Sequence, residues 1–156
     1  SVPMIGGALK EMEVPDEEDE KPRIVVLMCE NDAYPAMDMA AMNRARLSPF
    51  VRIQSVRCLG SFNMVWIADC LSAGIDGILL LGCKFGENYQ CHFITGSELA
   101  AYRLSKLEET LSRLMLEPER VKLEQVSITD FHKVPDIINS FAEEITEMDP
   151  NPYKGM

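Results

Sequence analysis

Residues 75–83 read IDGILLLGC, and this short apolar segment decides the fold. A continuous hydrophobic run of strand length is typical of a β-strand that is buried on both faces, as in a parallel sheet. The segment RIVVLMC at 23–29 has the same character. Each run ends at a thiol, Cys83 in the first case and Cys29 in the second.

Two further strands and four helices are predicted around these runs. FVRIQSVRC at 50–58 alternates as a strand does and again ends at a cysteine, Cys58, while VKLEQVSI at 121–128 is predicted as a fourth strand. Helical patterns cover 34–47, 61–74, 96–116 and 134–148. Strands that alternate with helices predict a small doubly wound (Rossmann- or flavodoxin-like) α/β domain, with a four-stranded parallel sheet and helices on both faces.

The two ends of the chain differ from this core in composition. Residues 1–22 contain the acidic, proline-containing run KEMEVPDEEDEKP and are predicted to be a flexible linker. Residues 23–148 form the predicted domain, and 149–156 are expected to be a disordered tail. A chain that begins with Ser1 and carries such a linker is expected to be a piece of a longer protein.

Composition narrows the classes of function. The chain has 156 residues, 47% of them hydrophobic, and a formal net charge of −10. Such a charge argues against binding to nucleic acid or to an anionic membrane surface, and fits a protein partner with a positive patch. No apolar run is long enough to span a membrane. Five cysteines are too few for a disulfide scaffold, so we expect a reducing, cytoplasmic setting.

The cysteines form the candidate site. Cys29, Cys58 and Cys83 each end a predicted parallel strand, and the carboxyl ends of parallel strands lie at one end of the sheet, where ligands bind. Cys91, on the loop after the third strand, can fold back over the same end. Four thiols arranged in this way are able to hold an iron–sulfur cluster or a zinc ion. The alternative is that they are buried packing residues, since cysteine is among the most buried residue types.

Other candidate residues give weaker signals. Cys70 falls in the middle of a helix and is predicted to be a core residue. Asp32, three residues after Cys29, is interpreted as a helix cap or a substitute ligand. His92 is a candidate metal ligand and the candidate partner of a catalytic cysteine, whereas His132 is predicted to lie at the surface.

Several motifs together resemble one family. The segments VRCLGSFNMVWIADCLSAGIDGILLLGC, CHF and GSELAAYRLSKLEETL occur in order within residues 23–146. They resemble the delta subunit of methyl-viologen-reducing hydrogenase. The long GCKFGENYQCHF loop and the GSELA helix start are most similar to the version fused to the C-terminus of a flavoprotein, the HdrA-like flavoprotein of the quinone-interacting membrane-bound oxidoreductase complex.

The resemblance implies electron transfer. It implies a [2Fe-2S] cluster held by Cys29, Cys58, Cys83 and Cys91, relaying electrons between a redox partner and the flavin of a heterodisulfide-reductase-like protein. The chain is then a component of an oxidoreductase complex, not a self-contained catalyst. It departs from the family at Asp32, which replaces a second cysteine of the first turn, and in the length of its last loop.

Two alternatives to the cluster-carrying domain stay open. One is a cofactor-free docking domain of a larger redox complex. The other is a structural zinc domain, although structural zinc sites usually bring cysteines in pairs two residues apart, which the candidate ligands here do not form.

Overall fold

The computed structural model of the chain describes residues 22–61, 63–84, 96–149 and 151–153. Within these ranges there are four strands and four α-helices. The strands are β1 (Ile24–Cys29), β2 (Val51–Val56), β3 (Gly77–Gly82) and β4 (Val121–Gln125). The helices are α1 (Ala33–Met42), α2 (Met64–Ser72), α3 (Gly96–Arg113) and α4 (Val134–Glu147). Short 3-10 helices cover Leu59–Ser61, Pro118–Arg120 and Ile128–Asp130.

The four strands form one parallel sheet in the order β2-β1-β3-β4. The chain therefore moves outward from β1 to β2, then crosses back and continues outward from β3 to β4. Strand order reverses between β1 and β3, which makes this pair the topological switch point of a doubly wound sheet. The predicted fold class is confirmed.

Each face of the sheet carries its own hydrophobic layer. One layer packs β1 and β3 side chains such as Val26 and Leu79 against α1 and α4, with Phe141 and Ile145 from α4. The other packs alternate residues of the same strands against α2 and α3. Every residue of β1 and β3 is buried, which explains why their sequences are continuously apolar instead of alternating.

At two positions the structure explains why the residue is a glycine. Gly74 follows α2 with φ of 103°, a left-handed conformation that lets the helix end and the chain turn into β3. Gly77 starts β3 directly beneath α4, and a Cβ atom there would lie 2.7 Å from Cγ1 of Ile145. The absence of a side chain at residue 77 therefore sets how closely α4 approaches the sheet.

The amino end of the sheet is closed by a buried polar network. Asp76 accepts hydrogen bonds from the backbone N–H of Arg23 (2.8 Å) and of Asn151 (2.9 Å). The Arg120 guanidinium, fully buried, donates to the carbonyls of Asp76 and Asp149.

This network also fastens the end of the chain. The Asn151 side chain donates to the carbonyls of Leu71 and Ile75, both at 2.7 Å, and Tyr153 donates its hydroxyl to the carbonyl of Leu114. These residues belong to the segment expected from sequence to be a disordered tail. Buried amide hydrogen bonds, which the proline-rich composition of this segment does not reveal, hold residues 151–153 of it against the domain.

Candidate functional site

The site lies at the carboxyl end of the sheet, where strand order reverses. Cys29 is the last residue of β1, and Cys83 follows the last residue of β3. Because β1 and β3 are neighbours in register, with Met28 opposite Leu81, the two thiols meet. Their Sγ atoms are 3.4 Å apart and both side chains are almost completely buried, with 2% of each residue exposed.

Amide groups surround the thiol pair. The backbone N–H of Ala33, in the first turn of α1, donates to Cys29 Sγ at 3.5 Å. The side-chain amide of Asn31 donates to Cys83 Sγ at 3.7 Å. Hydrogen bonds to sulfur stabilise a thiolate over a thiol, and in iron–sulfur proteins they help to set the reduction potential.

The two thiols differ in acidity. The hydrogen bond from Cys83 and the N–H groups of residues 31–33 outweigh the effect of burial and lower the pKa of Cys29 to about 6. The same Sγ–Sγ contact, added to burial, raises the pKa of Cys83. The contact between the two sulfurs therefore favours the thiolate at Cys29 and the protonated thiol at Cys83.

Asp32 lies in the same turn and does not act as expected. It occupies the N-cap position of α1, but its side chain makes no capping hydrogen bond, so the interpretation of Asp32 as a helix cap is wrong. The residue is 7% exposed, and its Oδ2 atom is buried without a hydrogen-bond partner among the described residues. Its negative charge adds to the elevation of the Cys83 pKa, behind the larger effects of Cys29 and burial.

Cys58 lies near the pair but has its own local contacts. It follows β2, whose last residue Val56 pairs with Cys29, and it packs half-buried against the same hydrophobic layer as the pair. Its Sγ accepts a hydrogen bond from the backbone N–H of Gly60 at 3.4 Å. Cys91 and His92 lie outside the described residues.

The geometry of the pair fits two ligands of one metal centre. Two sulfurs bound tetrahedrally to one ion, at a metal–sulfur distance of about 2.3 Å, lie about 3.8 Å apart, only a few tenths of an ångström beyond the observed separation. Within the described part of the chain, no three His, Cys, Asp or Glu side chains are close enough to hold a metal ion. The described residues thus bring together Cys29 and Cys83, and the assignment of Cys58 and Cys91 to the same centre stays a prediction.

The remaining candidates have structural places. Cys70 is 5% exposed in the layer between the sheet and α2, as predicted for a core residue. His132 is exposed before α4, and its ring meets Phe131 edge-on. A cavity of about 310 Å³ beside His132 is lined by the end of α1 and the residues after it, including Arg46, by the start of α4, including Asp136, and by no cysteine, so it is separate from the thiol pair.

Sequence reasoning missed Asn31. Its position two residues after Cys29 gives no motif, and its hydrogen bond to Cys83 depends on β1 and β3 being neighbours. The strand order, which the sequence pattern does not give, is what brings these residues together.

These features define the class of the molecule: a doubly wound α/β domain with a buried thiol pair at the switch point of its sheet. Comparison with known proteins then gives its family. The chain belongs to the methyl-viologen-reducing hydrogenase delta subunit family, whose sequence profile matches residues 24–149. This confirms the resemblance seen in the sequence and supports a place for the chain as a component of a redox complex.

The relatives occur in two contexts. The chain is 33% identical to the iron-sulfur subunit of the F420-non-reducing hydrogenase of Archaeoglobus profundus, over 85% of this chain and 95% of the relative. It is 30% identical, over 83% of its length, to the HdrA-like chain of the ferredoxin/F420H2-dependent CoB-CoM heterodisulfide reductase of Methanosarcina acetivorans. It spans only 16% of that relative, and likewise 16% of the corresponding protein of Methanosarcina mazei, to which it is 27% identical. The same unit is therefore a separate subunit in one case and a small part of a longer chain in the other.

No helix in the described ranges has both the length and the apolar character that crossing a membrane requires.

Proposed function

We propose that this chain is an electron-transfer domain that carries one [2Fe-2S] cluster and relays electrons between a redox partner and the flavin of a heterodisulfide-reductase-like protein. The observation that carries the proposal is the contact between Cys29 and Cys83 at the switch point. Membership of a family that includes a hydrogenase component named as an iron-sulfur protein supports it. When bound, the cluster would accept and release single electrons.

The residues of the chain have distinct roles in this proposal. Cys29 and Cys83 supply two thiolates that are already in contact, and Cys58 and Cys91 supply the other two. Amide donors from Ala33 and Asn31 stabilise negative charge on the sulfurs and so make the electron-rich reduced state easier to reach.

Charge and burial set further properties of the site. The carboxylate of Asp32 acts against the amide donors, because a nearby negative charge disfavours an added electron. Burial of the thiol pair excludes water from the centre. A reducing, cytoplasmic environment suits the proposal because the pair must remain available as ligands.

The test is an iron and acid-labile sulfide assay on chain purified without oxygen, together with its visible spectrum. About two irons and two sulfides per chain, with absorption between roughly 400 and 600 nm, are expected. Cys83→Ser should remove most of the iron and colour. Cys70→Ser, which changes a buried cysteine in the opposite layer, is the matched control and should keep both. Folded, iron-free, colourless protein from an oxygen-free preparation would contradict the proposal.

A second candidate function is a cofactor-free docking domain in a redox complex. The position of Asp32 favours it, since a carboxylate replaces a cysteine of the family's first turn. In that case Cys83→Ser changes neither the affinity for the partner protein nor any electron transfer. In a cluster domain the same substitution abolishes electron transfer while binding is retained. A colourless protein that holds one zinc ion in the same assay would support the structural zinc domain instead.

A further inference from the structure

We propose that hydrogen peroxide closes Cys29 and Cys83 of the metal-free chain into a disulfide, which blocks metal loading until a thiol reductant reopens it. The regulatory part of this inference rests on the proposed function, because only a chain that loads metal can be blocked. The disulfide itself rests on the positions of the two residues.

The strand pairing places both residues within reach of a disulfide. Met28 is opposite Leu81; Cys29 is the next residue of β1, and Cys83 comes two residues after Leu81, directly after the end of β3. For strands about 4.8 Å apart with a rise of about 3.3 Å per residue, this offset puts the Cα atoms about 5.8 Å apart. Disulfides span Cα separations of about 4.4–6.8 Å, so no strand needs to move.

The sulfur atoms need only a small shift. They are 3.4 Å apart in the structure, and a disulfide bond is about 2.05 Å long, so rotation about the side-chain torsions must close a gap of about 1.4 Å. No residue stands between the two Sγ atoms, which contact each other directly. The pair is almost completely buried, so the oxidant must be small, and hydrogen peroxide meets this condition.

The reaction balances with peroxide as the named oxidant. The Cys29 sulfur attacks one peroxide oxygen, the O–O bond breaks, and Cys29 becomes a sulfenic acid while hydroxide leaves. The Cys83 sulfur then attacks the Cys29 sulfur, the S–O bond breaks and the S–S bond forms. Two thiols and one peroxide thus give one disulfide and two waters, with the two sulfurs oxidised and the peroxide oxygens reduced.

A closed disulfide is incompatible with metal binding at these positions, because neither sulfur is then a thiolate. The amide donors from Ala33 and Asn31 reach the same two sulfurs and stabilise negative charge there, and the direct contact between the Sγ atoms favours a disulfide within this pair. Cys70 is buried in the opposite layer and serves as the internal comparison.

The experiment uses the full metal-free, reduced chain, treated with one equivalent of peroxide, quenched in acid, and mapped by mass spectrometry of its peptides. The expected result is a loss of two of the five thiols, a mass lower by about 2 Da, and a peptide pair that joins Cys29 to Cys83. Cys70→Ser should give the same cross-link. Cys83→Ser should leave a sulfenic acid on Cys29, detected by dimedone labelling. If the mapped disulfide joins other cysteines, or if Cys29 and Cys83 stay reduced, the inference is overturned. This result comes from the unaltered chain, so it does not depend on the folding of a variant.

A second arm separates this inference from the proposed function. The peroxide-treated chain is offered iron and sulfide before and after incubation with dithiothreitol, and uptake is expected only after reduction. Uptake that is equal before and after reduction, despite the mapped disulfide, would overturn the blocking role. Formation of the disulfide in a chain that never takes up iron would defeat the proposed function while the disulfide stands.

Discussion

The two ends of the sheet differ in how completely their buried polar groups are paired. At the amino end, the buried charges of Asp76 and Arg120 are matched by hydrogen bonds to backbone groups and by an ion pair with each other at 4.0 Å. At the carboxyl end, two buried thiols contact each other and Asp32 carries a buried oxygen without a partner among the described residues. A satisfied polar network stabilises a fold, whereas unsatisfied groups cost stability and are typical of sites that bind something.

The sharpest way to break this comparison is to disrupt the amino end. Asp76→Ala should lower the free energy of unfolding by about 2–4 kcal/mol, because it leaves the buried backbone N–H groups of Arg23 and Asn151 without their acceptor and removes one of the two carboxylates that pair with Arg120, the other being Glu117. Chemical denaturation of the metal-free chain measures this. Arg113→Ala, which removes an exposed pair with Glu109, is the control and should change stability by less than about 0.5 kcal/mol. Equal losses in both variants would mean that the network at Asp76 adds little.

The thiol pair at the carboxyl end predicts that the stability of the folded chain depends on pH. The pKa of Cys29 is lowered from its ordinary value of 9 to about 6 in the folded chain, so folding favours the thiolate. The resulting stability is present above pH 9 and is lost as the pH falls through 6. The raised pKa of Cys83 has the reverse effect and lowers stability above pH 9, where the unfolded thiol ionises.

We therefore expect the metal-free chain to gain on the order of 2 kcal/mol of stability between pH 6 and pH 9, and to lose stability above that. Urea denaturation across this range measures the effect. Cys29→Ala should flatten the rise, whereas Cys70→Ala should keep it. A rise of the same size in both variants would trace the pH dependence to other groups.

The smallest expected effect is a gain in the stability of the metal-free chain. Asp32→Asn removes a buried negative charge while it keeps the size of the side chain, and should raise the stability of the metal-free chain by about 1 kcal/mol. In iron-loaded protein the same change should raise the reduction potential, because one negative charge beside the centre is lost. A decrease in stability would show that the Asp32 carboxylate has a favourable partner in solution, and would reduce the contrast between the two ends.

The sequence predicted the elements better than it predicted their contacts. Continuous apolar runs identified β1 and β3 to within one or two residues, because burial on both faces leaves a direct trace in composition. The thiols at the strand ends followed from the general geometry of parallel sheets. The direct contact between Cys29 and Cys83 did not, because it depends on β3 lying beside β1, and strand order leaves no periodic signal.

Local rules also failed where long-range contacts override them. Asp32 has the residue type and position of a helix cap, but its side chain does not cap α1. Pro150 and Pro152 indicate an unstructured end, yet Asn151 between them is buried by hydrogen bonds to residues about 80 positions away in the chain. Both exceptions occur at the ends of the sheet, where distant segments meet.

The carboxylate of Asp76 has a consequence for architecture at a larger scale. It accepts the backbone N–H of Arg23, one residue before β1, and of Asn151, four residues after α4, so the two segments that flank the strands and helices lie side by side. They lie at the far end of six-residue strands from the thiols, about 20 Å away. A domain whose flanking segments lie side by side can be joined to another polypeptide without distortion of its fold and without burial of the opposite end of the sheet. This arrangement suits a family whose members occur both as separate subunits and within much longer chains.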